Sequence, residues 1–544
     1  MRQVKELILA LRDDLASRFL PQTGRRRSLY RDWLILSGIK EYRALLSDSK
    51  FRHETNDHDH DLEIGKLAAA VWRTRPDVQA EYPLPQFKVA YLQWFLVHGV
   101  GEHGIWPLLT QDEQATTLKV AALAKSPWLR TYRRLSQLPD VQRAKEAVVH
   151  GLAPFGVNLI GYAYGQLGIG EDLRMTSLAL KATRIPFVIV NFEPGADVPQ
   201  GDRTLAPHVV DTGPYAINLF CMTALETGRF YAERGLDQFQ GRHNIGYWPW
   251  ELSKWPADWT LVFDLVDEVW VSTAHIKKSL LTARSPRFAK PIRVMPLVVQ
   301  VPSSLQKARS AENTRSERKG YRLPLLAKLF FFSFDLNSSI HRKNPAAVVK
   351  AFQRAFPAED YSPGKVGLVV KVQAPKRPNR AWEELKKLAN TDRRIHIIEG
   401  TLPRNQLLAL YKSCDCFVSL HRAEGFGRNL AEALQLGLHV IATDYSGNTD
   451  FCRRPEFKDQ VSLIPHRLIK VRKRQYPYAE GQVWANPSVA AAAKAMRDFV
   501  ERPNPSYKVP RGGWPAFKAS ILGEQYRARL EEIYQIHKAR NKAV

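Results

Sequence analysis

The chain carries, at residues 421–451, the segment HRAEGFGRNLAEALQLGLHVIATDYSGNTDF, which has the order strand, loop, helix, strand and turn. Glu424 lies on the loop after the first strand, and Glu432 lies just over one turn into the helix, so both carboxylates can face one cleft. Gly425 and Gly427 let the backbone approach a ligand, and the helix N-terminus behind them offers free N–H groups to an anion. Since carboxylates accept hydrogen bonds from vicinal hydroxyls, the segment suits a ligand that is part sugar and part phosphate.

Outward from this segment, short apolar runs alternate with helical stretches, a pattern typical of parallel strands joined by crossover helices. We expect strands near residues 156–161, 186–191, 217–221, 243–248, 268–272, 292–297, 328–334, 366–372, 394–398, 415–420 and 438–443. We expect helices near residues 344–356, 381–390, 404–413 and 428–437. The polar, basic stretch 301–324 suits a surface linker. The sequence therefore predicts two Rossmann-like domains, residues 151–310 and 311–500, with a cleft where their strand ends meet.

The two ends of the chain are predicted to be helical. Within residues 1–150, the segment WLILSGIKEY (33–42) recurs in diverged form as WFLVHGVGEH (94–103), which indicates two related helical units. Charges interrupt the apolar positions of the first 20 residues, so we expect an amphipathic helix there and not a signal peptide. The tail, residues 501–544, contains a basic amphipathic helix near 515–541 that could pack back across the domains.

Length and composition set the class of protein. A chain of 544 residues exceeds what one core usually supports, and 44% hydrophobic residues indicate a globular protein. The net charge of +26 favours anionic partners such as nucleotides or anionic membrane surfaces. Four cysteines without a CxxC pair argue against a disulfide framework and a zinc ribbon, which fits a reducing cytoplasm. Because no apolar stretch approaches roughly 20 residues, we expect any membrane contact to be peripheral.

The segment 421–451 resembles the E-x7-E motif of glycosyltransferase family 4, the group 1 glycosyltransferases, with its EGFG, AEA, G-x-x-V-I-A-T and Y-S-G-N continuation. The resemblance implies the GT-B architecture and retention of anomeric configuration. It implies that Glu424 contacts the donor sugar, that Glu432 binds the ribose hydroxyls, and that Gly425, Phe426 and Gly427 line the donor site. The alternative is that Glu424 caps a helix and Glu432 pairs with a basic neighbour.

The segment FFFSFDLNSSIHRKNPAAVVKAFQRAF, residues 330–356, resembles the diphosphate-binding loop of the same family. Lys343 and then Arg342 are the candidate phosphate ligands, because a cation must offset charge on the departing nucleoside diphosphate. The common family pattern has Gly-Arg directly after this strand, whereas this chain has Asp-Leu at residues 335–336. Lys371, at the end of the next strand, is a candidate replacement for the missing cation; alternatively it is a lysine that extends to solvent from a strand end.

A glycine-rich loop, within GVNLIGYAYGQLGIGEDLRM at residues 156–175, joins a predicted strand to a helix. Gly168 and Gly170 belong to it, but the spacing is not the GxGxxG fingerprint of dinucleotide binding. The loop resembles the N-terminal loop of family 4 enzymes, which lies against the donor diphosphate when the cleft closes. A purely structural turn is the alternative.

The stretch NIGYWPWELSKWPADWTLVFDLVDEVWVSTAHIKKSL, residues 244–280, resembles one found in polysaccharide-assembling members of the family. Trp248 or Trp250 could stack on an acceptor sugar, and Glu251 could accept a hydroxyl hydrogen bond and act in catalysis. Core packing is the rival role for the tryptophans. Many family members place a histidine near Glu251, and none stands at that point here, so both a base role and a positioning role for Glu251 stay open.

Three further residues near the central motif are candidate donor contacts. His421 and Arg422 match an S-x-H-R-x-E-G-F-G variant and could touch the transferred sugar or its phosphates, with structural packing as the alternative. Asn448 lies on a loop that could approach the donor, although asparagine is ordinary in a turn.

Two further features resemble a metal site and a nucleic-acid site but match no known pattern of either kind. HETNDHDHD, residues 53–61, has no recognised zinc spacing, and we expect a solvated loop and no metal. The basic runs at 25–27 and 466–474 lack the context of a nucleic-acid-binding module, so we expect membrane-surface or solvated charge and no nucleic acid partner.

These observations predict a hexosyltransferase that moves a sugar from a nucleotide-diphosphate donor to a saccharide or lipid-linked acceptor in surface polysaccharide synthesis. Mannose from GDP-mannose is the family-weighted expectation. The sugar nucleotide is a co-substrate, and we expect no cofactor and no required metal. The enzyme is expected to act in the cytoplasm, with peripheral contact at the inner face of the membrane. The alternative is a non-catalytic transferase-like scaffold or binding protein whose helical N-terminal region is the working part.

Overall fold

The computed structural model describes residues 4–123, 153–194, 198–283, 290–306, 311–373, 379–502 and 507–542. Its first large sheet has seven parallel strands in the order β5-β4-β3-β6-β7-β8-β9. They are β3 (Val157–Gly161), β4 (Phe187–Asn191), β5 (Val209–Val210), β6 (Ile217–Cys221), β7 (His243–Tyr247), β8 (Glu268–Val271) and β9 (Ile292–Val294). A small pairing of β1 (His58–Asp59) with β2 (Ile64–Gly65) precedes it.

The second large sheet has six parallel strands in the order β12-β11-β10-β13-β14-β15. They are β10 (Lys328–Asp335), β11 (Val366–Gln373), β12 (Ile395–Glu399), β13 (Cys416–Ser419), β14 (His439–Thr443) and β15 (Val461–Ile464). An antiparallel hairpin of β16 (His466–Lys470) and β17 (Val483–Pro487) follows. The central strands are buried on both faces, which is why they read as continuous apolar runs.

Helices cover both sheets and form the N-terminal region. The α-helices are Val4–Leu11, Asp13–Phe19, Gly24–Trp33, Ile39–Glu41, Ala44–Ser47, Ser49–Thr55, Lys66–Thr74, Pro76–Glu81, Lys88–Trp94, Val100–His103, Gln111–Leu123, Gly168–Ala182, Ala224–Arg234, Ala274–Leu281, Ala311–Gly320, Ile340–Lys343, Pro345–Ala355, Arg380–Ala389, Arg404–Ser413, Arg428–Gln435, Thr449–Cys452, Val489–Glu501 and Ala519–Lys542. The expectation of two Rossmann-like sheets preceded by a helical region is confirmed.

The stretch 301–324 was expected to be a linker, but residues Ala311–Gly320 form a helix. Its sequence AENTRSERKG lacks an apolar stripe, so periodicity does not reveal it. Arg318 holds it in place, because the buried guanidinium donates to the carbonyl oxygens of Ser413 and Ala327 and pairs with Asp415 at 2.9 Å. Strands β5, β15, β16 and β17 were also not predicted. Strand β5 has only two residues, and β16 has the mainly polar sequence HRLIK.

The two repeat units of the N-terminal region are built alike. A π-helical turn follows each tryptophan, at Leu34–Gly38 after Trp33 and at Phe95–Gly99 after Trp94. A Cβ on the glycine that ends each turn would lie 3.3 Å from Trp33 and 3.2 Å from Trp94, respectively. The glycine therefore lets the turn pack tightly against the ring.

The C-terminal helix Ala519–Lys542 returns to the first sheet. It packs on helix Gly168–Ala182, where a Cβ on Gly523 would lie 2.6 Å from the Ala179 carbonyl oxygen. The buried hydroxyls of Tyr526 and Tyr247 lie 3.0 Å apart. The C-terminal end of the chain is thus packed against the first sheet and its helix Gly168–Ala182. Among the residues described, no helix is long and apolar enough to cross a membrane.

Candidate active site

The site lies between the carboxyl ends of the two sheets. The loop after β10 carries Arg342 and Lys343, and the loop after β13 carries Glu424. The Arg342 guanidinium fixes the first loop to the second, donating to the Ala423 carbonyl oxygen at 2.9 Å. Ser339, at φ 68°, accepts from the Arg342 amide and starts the short helix that presents both cations.

Three ionised side chains meet in this cleft. Lys343 Nζ lies 2.5 Å from Glu424 Oε1, and Arg342 Nη1 lies 3.2 Å from Glu424 Oε2. Burial opposes ionisation of Glu424, but the charges of Lys343 and Arg342 outweigh it and lower the pKa of the carboxyl to about 2. The carboxylate therefore stays charged at neutral pH and holds the two cations beside it in the cleft.

Glu251 reaches the same cluster from the first sheet. Its Oε1 lies 3.6 Å from Arg342 Nη2, and its Oε2 accepts a 2.8 Å hydrogen bond from the Tyr476 hydroxyl. Burial, and then the Glu251 charge, raise the pKa of Tyr476 well above its ordinary value, so the hydroxyl keeps its proton. His275 Nε2 lies 2.8 Å from the Glu251 carbonyl oxygen. This contact ties the helix after β8 to the backbone of Glu251.

Glu432 lies in an adjoining part of the cleft. It is paired with Arg404 at 2.9 Å, and Arg404 also reaches Glu171 at 3.1 Å. Two cavities of about 290 and 350 Å³ meet here and share Leu167, Gly168, Ser333, Asp335, Ser338, Lys343, Arg428 and Asn429 in their walls. Glu432 borders the first cavity and Glu424 the second, so the two motif carboxylates border one continuous space.

Lys371 lines the cavity that contains Glu432 and donates to the carbonyl oxygens of Gly400 and Val372. Burial, opposed by the nearby Asp335, lowers the pKa of Lys371 to about 8. The side chain does not extend to solvent.

The glycines have different roles. Gly427 begins the helix Arg428–Gln435 at φ 92°, a conformation that favours glycine, and Gly168 lines both cavities. Gly425 lies at the contact between the sheets, where a Cβ would come within 2.6 Å of the Trp250 carbonyl oxygen. Gly170 is buried, and a Cβ there would overlap the Gly165 carbonyl oxygen, so its role is packing and not ligand contact. Phe426 lines the cavity of Glu424.

The two tryptophans expected to bind the acceptor are core residues. Trp248 is 0% exposed and donates to the Thr227 hydroxyl at 3.0 Å, while Trp250 is 4% exposed and packs edge-on against Trp259 at 4.8 Å. Buried rings present no face to a sugar. The stacking prediction is wrong because these aromatic side chains fill the space between the sheet and the helices around it.

Three polar residues flanking Glu424 also point elsewhere. Arg422 turns away from the cleft, and its guanidinium lies 5.3 Å from the Trp484 ring centre beside a separate cavity. His421 and Asn448 are fully buried and lie 3.0 Å apart, between His421 Nε2 and Asn448 Oδ1. The pair supports the loop beneath Glu424, so direct donor contact by these three side chains is a prediction that the structure corrects.

Several cleft residues were missed from the sequence. Arg428 pairs with Asp172 across the two sheets, and Asn429 donates to the Ser333 carbonyl oxygen at 3.0 Å. Both follow Gly427 directly in the central motif, and that position at a helix N-terminus was the available signal. Arg404 gave none, because a basic first residue of a helix is ordinary on a surface.

The histidine-rich stretch 53–61 is not entirely solvated. Asp59 is buried and pairs with Arg73 at 2.6 Å and with Arg31 at 3.5 Å. In the described part of the chain, no group of three or more histidine, cysteine or acidic side chains could hold a metal ion. All four cysteines are buried free thiols.

Comparison with known proteins gives two kinds of result. Residues 337–458 match the family model described as glycosyl transferases group 1, and this range contains Lys343, Glu424 and Glu432. Comparison with curated proteins gave no match.

Three solved structures illustrate the similarity in the course of the chain. HepE from Anabaena in complex with UDP and glucose is 12% identical, with 70% of this chain and 100% of that chain covered and a TM-score of 0.48. The α,α-trehalose 6-phosphate synthase from Burkholderia multivorans is 12% identical, with 70% and 100% covered and a TM-score of 0.47. Sucrose-phosphate synthase from Thermosynechococcus elongatus is 16% identical, with 71% and 97% covered and a TM-score of 0.44.

The family match falls on the sheet that presents Lys343 and Glu424, and a second parallel sheet faces it across the cleft. The chain is a glycosyltransferase with the GT-B architecture.

Proposed function

We propose that this enzyme transfers a hexose from a nucleoside-diphosphate sugar to a hydroxyl of a saccharide or lipid-linked acceptor, with retention of anomeric configuration, in surface polysaccharide synthesis. The observation that carries the proposal is the meeting of Glu424 with Lys343 and Arg342 between the two sheets. Two cations beside a carboxylate suit a ligand whose diphosphate and sugar hydroxyls lie next to one another.

The donor can be placed by its charges. Its diphosphate would accept hydrogen bonds from Lys343, Arg342 and the backbone N–H groups after Gly427, and Glu424 would accept from a hydroxyl of the sugar. Glu432 would exchange its pairing with Arg404 for the ribose hydroxyls, while Lys371 adds positive charge near the phosphates.

Retention follows from a reaction on one face of the sugar. The bond from C1 to the diphosphate oxygen breaks, the acceptor oxygen bonds to C1 on the same face, and the acceptor proton passes to the departing diphosphate. The negative charge that develops on the diphosphate is stabilised by Lys343 and Arg342. In this scheme the cleft carboxylates bind hydroxyls and form no covalent intermediate, unlike the paired carboxylates of retaining glycosidases.

Peripheral contact with an anionic membrane is part of the proposal. Strand β16 belongs to the basic run 466–474, and Leu468 on it is 54% exposed between Arg467 and Lys470. Sedimentation with anionic and neutral vesicles tests this contact: binding to anionic vesicles that weakens with salt is expected, and equal recovery with both vesicles would contradict it.

The donor is tested by thermal shift and calorimetry with UDP, GDP, ADP and their hexose conjugates. Binding to the native state raises stability by about 2.7 kcal/mol when the ligand is at 100 times its Kd, so one nucleotide series should shift the melting temperature. Glu432→Ala should abolish the shift. Glu383→Ala, which removes an exposed glutamate on helix Arg380–Ala389, is the matched control and should retain it.

No shift with any nucleotide in a folded preparation would favour the non-catalytic scaffold. A shift of the same size in the wild type and in Glu432→Ala would leave the nucleotide site in place and remove the ribose role of Glu432.

A further inference from the structure

A further cavity, of about 1090 Å³, lies outside the cleft, between the N-terminal helical region and the first sheet. We call it the module groove. One wall comes from the first repeat unit and the other from the first sheet and its helix Ala224–Arg234; the polar side chains that matter below are Arg12, Tyr42, Arg43, Tyr162, Glu226 and Arg229.

The module groove adjoins the active-site cleft. Leu167 and Ile169, at the start of helix Gly168–Ala182, line the groove on one side and the cleft of Glu424 on the other. A chain-like ligand that occupies the groove therefore reaches the cleft by passing this one loop. Leu167 also lines the cavity that Glu432 borders.

The walls of the groove are fixed relative to one another. Helix Val4–Leu11 packs on helix Ala224–Arg234, where a Cβ on Gly228 would lie 2.9 Å from Leu7. Leu7 and Ile8 are buried in this contact. The first repeat unit is therefore packed firmly against the first sheet's helix, and its polar groups keep their positions relative to the sheet.

The polar side chains of the groove are held in position by hydrogen bonds to one another and to their neighbours. Arg12 donates to both Asp14 carboxylate oxygens and to Glu41, each at 2.8 Å, and Glu41 also lines the groove. On the opposite wall the Tyr162 hydroxyl donates to Glu226 at 2.6 Å. Fixed carboxylates and guanidinium groups around aliphatic side chains are what a ligand with many hydroxyls requires.

The charge of the groove narrows the class of ligand. Its lining contains four arginines and three glutamates, and Arg12 and Arg229 are already paired with glutamates of the same lining. A nearly balanced lining favours an uncharged saccharide over a polyphosphate or a nucleic acid, which would need a large excess of positive charge.

The second repeat unit shows the same local arrangement away from the groove. Arg75 donates to the two carboxylate oxygens of Asp77 at 2.9 and 2.6 Å and to Glu102 at 2.5 Å, as Arg12 does to Asp14 and Glu41. Arg75, Asp77 and Glu102 are not among the groove residues. The arrangement stabilises each unit, and only in the first unit does it face a cavity.

We propose that the module groove binds the acceptor saccharide, and that the first helical unit thereby determines which acceptor is used. The proposal rests on the proposed transferase function. The sugar that receives the new bond lies in the cleft beyond Leu167 and Ile169, and the sugars that precede it lie between the helical unit and helix Ala224–Arg234.

The test uses the full-length enzyme and octyl glycosides of neutral mono- and disaccharides as acceptor probes. Arg12→Gln and Arg43→Ala should raise the KM for a disaccharide probe at least tenfold. The same variants should retain the nucleoside-diphosphate thermal shift. Arg75→Gln makes the same chemical change in the second unit, so it controls for loss of helix stability and should leave the KM unchanged.

Saturation-transfer NMR with the same glycosides separates the two proposals. Glycoside binding that Arg43→Ala removes supports the groove even if no turnover is found, and the absence of any nucleotide shift then counts only against the transferase. Nucleotide shifts without glycoside binding to the wild type would overturn the groove. An equal KM for Arg12→Gln and Arg75→Gln would also overturn it.

Discussion

Replacing Glu424 by glutamine should destabilise the free enzyme and at the same time strengthen its response to a nucleoside diphosphate. In the free enzyme this carboxylate offsets the charges of Lys343, at 2.5 Å, and Arg342, at 3.2 Å, in a largely buried cluster. Glutamine keeps the size and a hydrogen-bond acceptor but removes the charge. Arg342 then keeps only the more distant carboxylate of Glu251, at 3.6 Å, as a counter-charge.

The size of the effect follows from this geometry. Breaking a buried ion pair by removing one partner costs about 3–5 kcal/mol. In a domain of roughly 150–250 residues, each kcal/mol moves the melting temperature by about 2–4 °C, so the variant should melt roughly 6–20 °C lower. A diphosphate restores the missing charge, and one charge-assisted hydrogen bond is worth about 1.5–3 kcal/mol, so the variant should bind the diphosphate at least about tenfold more tightly.

The assay is differential scanning fluorimetry with and without the nucleoside diphosphate, together with calorimetry and turnover. Glu383→Gln makes the same chemical change at an exposed glutamate. Its free energy of unfolding should lie within about 0.5 kcal/mol of the wild-type value. Turnover of Glu424→Gln should fall, because the sugar loses its charged acceptor. If Glu424→Gln melts like the control and its nucleotide affinity is unchanged, the charge-cluster argument is refuted.

Three further outcomes are expected. Nucleoside-diphosphate affinity should fall as pH rises through about 8, because Lys371 has its pKa lowered to that value and is charged only below it; in Lys371→Met this pH step should be absent from calorimetric titrations. Trp248→Ala should lower the free energy of unfolding in urea by about 3–5 kcal/mol, and a loss of acceptor binding at unchanged stability would contradict its core role. Tyr476→Phe should lower kcat about tenfold, since a hydrogen bond to a charged group is worth about 1.5 kcal/mol and this one positions Glu251; an unchanged kcat would contradict that role.

The alternation of strands and helices was predictable because parallel strands that are buried on both faces are apolar along most of their length. The run FFFSF in β10 and the run VNLIG in β3 show this signal directly. Helix Ala311–Gly320 gave no such signal, since its attachment depends on one buried guanidinium and not on an apolar stripe. The hairpin β16–β17 was missed because its strands are short and polar on the exposed side.

The candidate site was predictable only as far as chain order fixes position. Glu424, Glu432 and Lys343 follow strand ends, and parallel strands bring such ends to one edge. Trp248 and Arg422 also come soon after strands, yet Trp248 is buried in the core and Arg422 lies beside Trp484. The direction of a side chain after a strand depends on packing that the sequence does not state. Tyr476 reaches Glu251 from the loop between β16 and β17, and no sequence pattern predicted that this loop lies near the cleft.

The charged side chains that line the cleft of the free enzyme are already paired with one another, so a bound donor must replace some of these ion pairs. Glu171 and Asp172 of the first sheet's helix hold Arg404 and Arg428 of the second sheet. A diphosphate near these arginines competes with the two carboxylates for the same positive charge. After transfer the departing diphosphate has lost its sugar ester and carries more negative charge than the donor did, so it competes better. We therefore expect the product, more than the substrate, to weaken the pairs between the sheets, which links the chemical step to opening of the cleft and release.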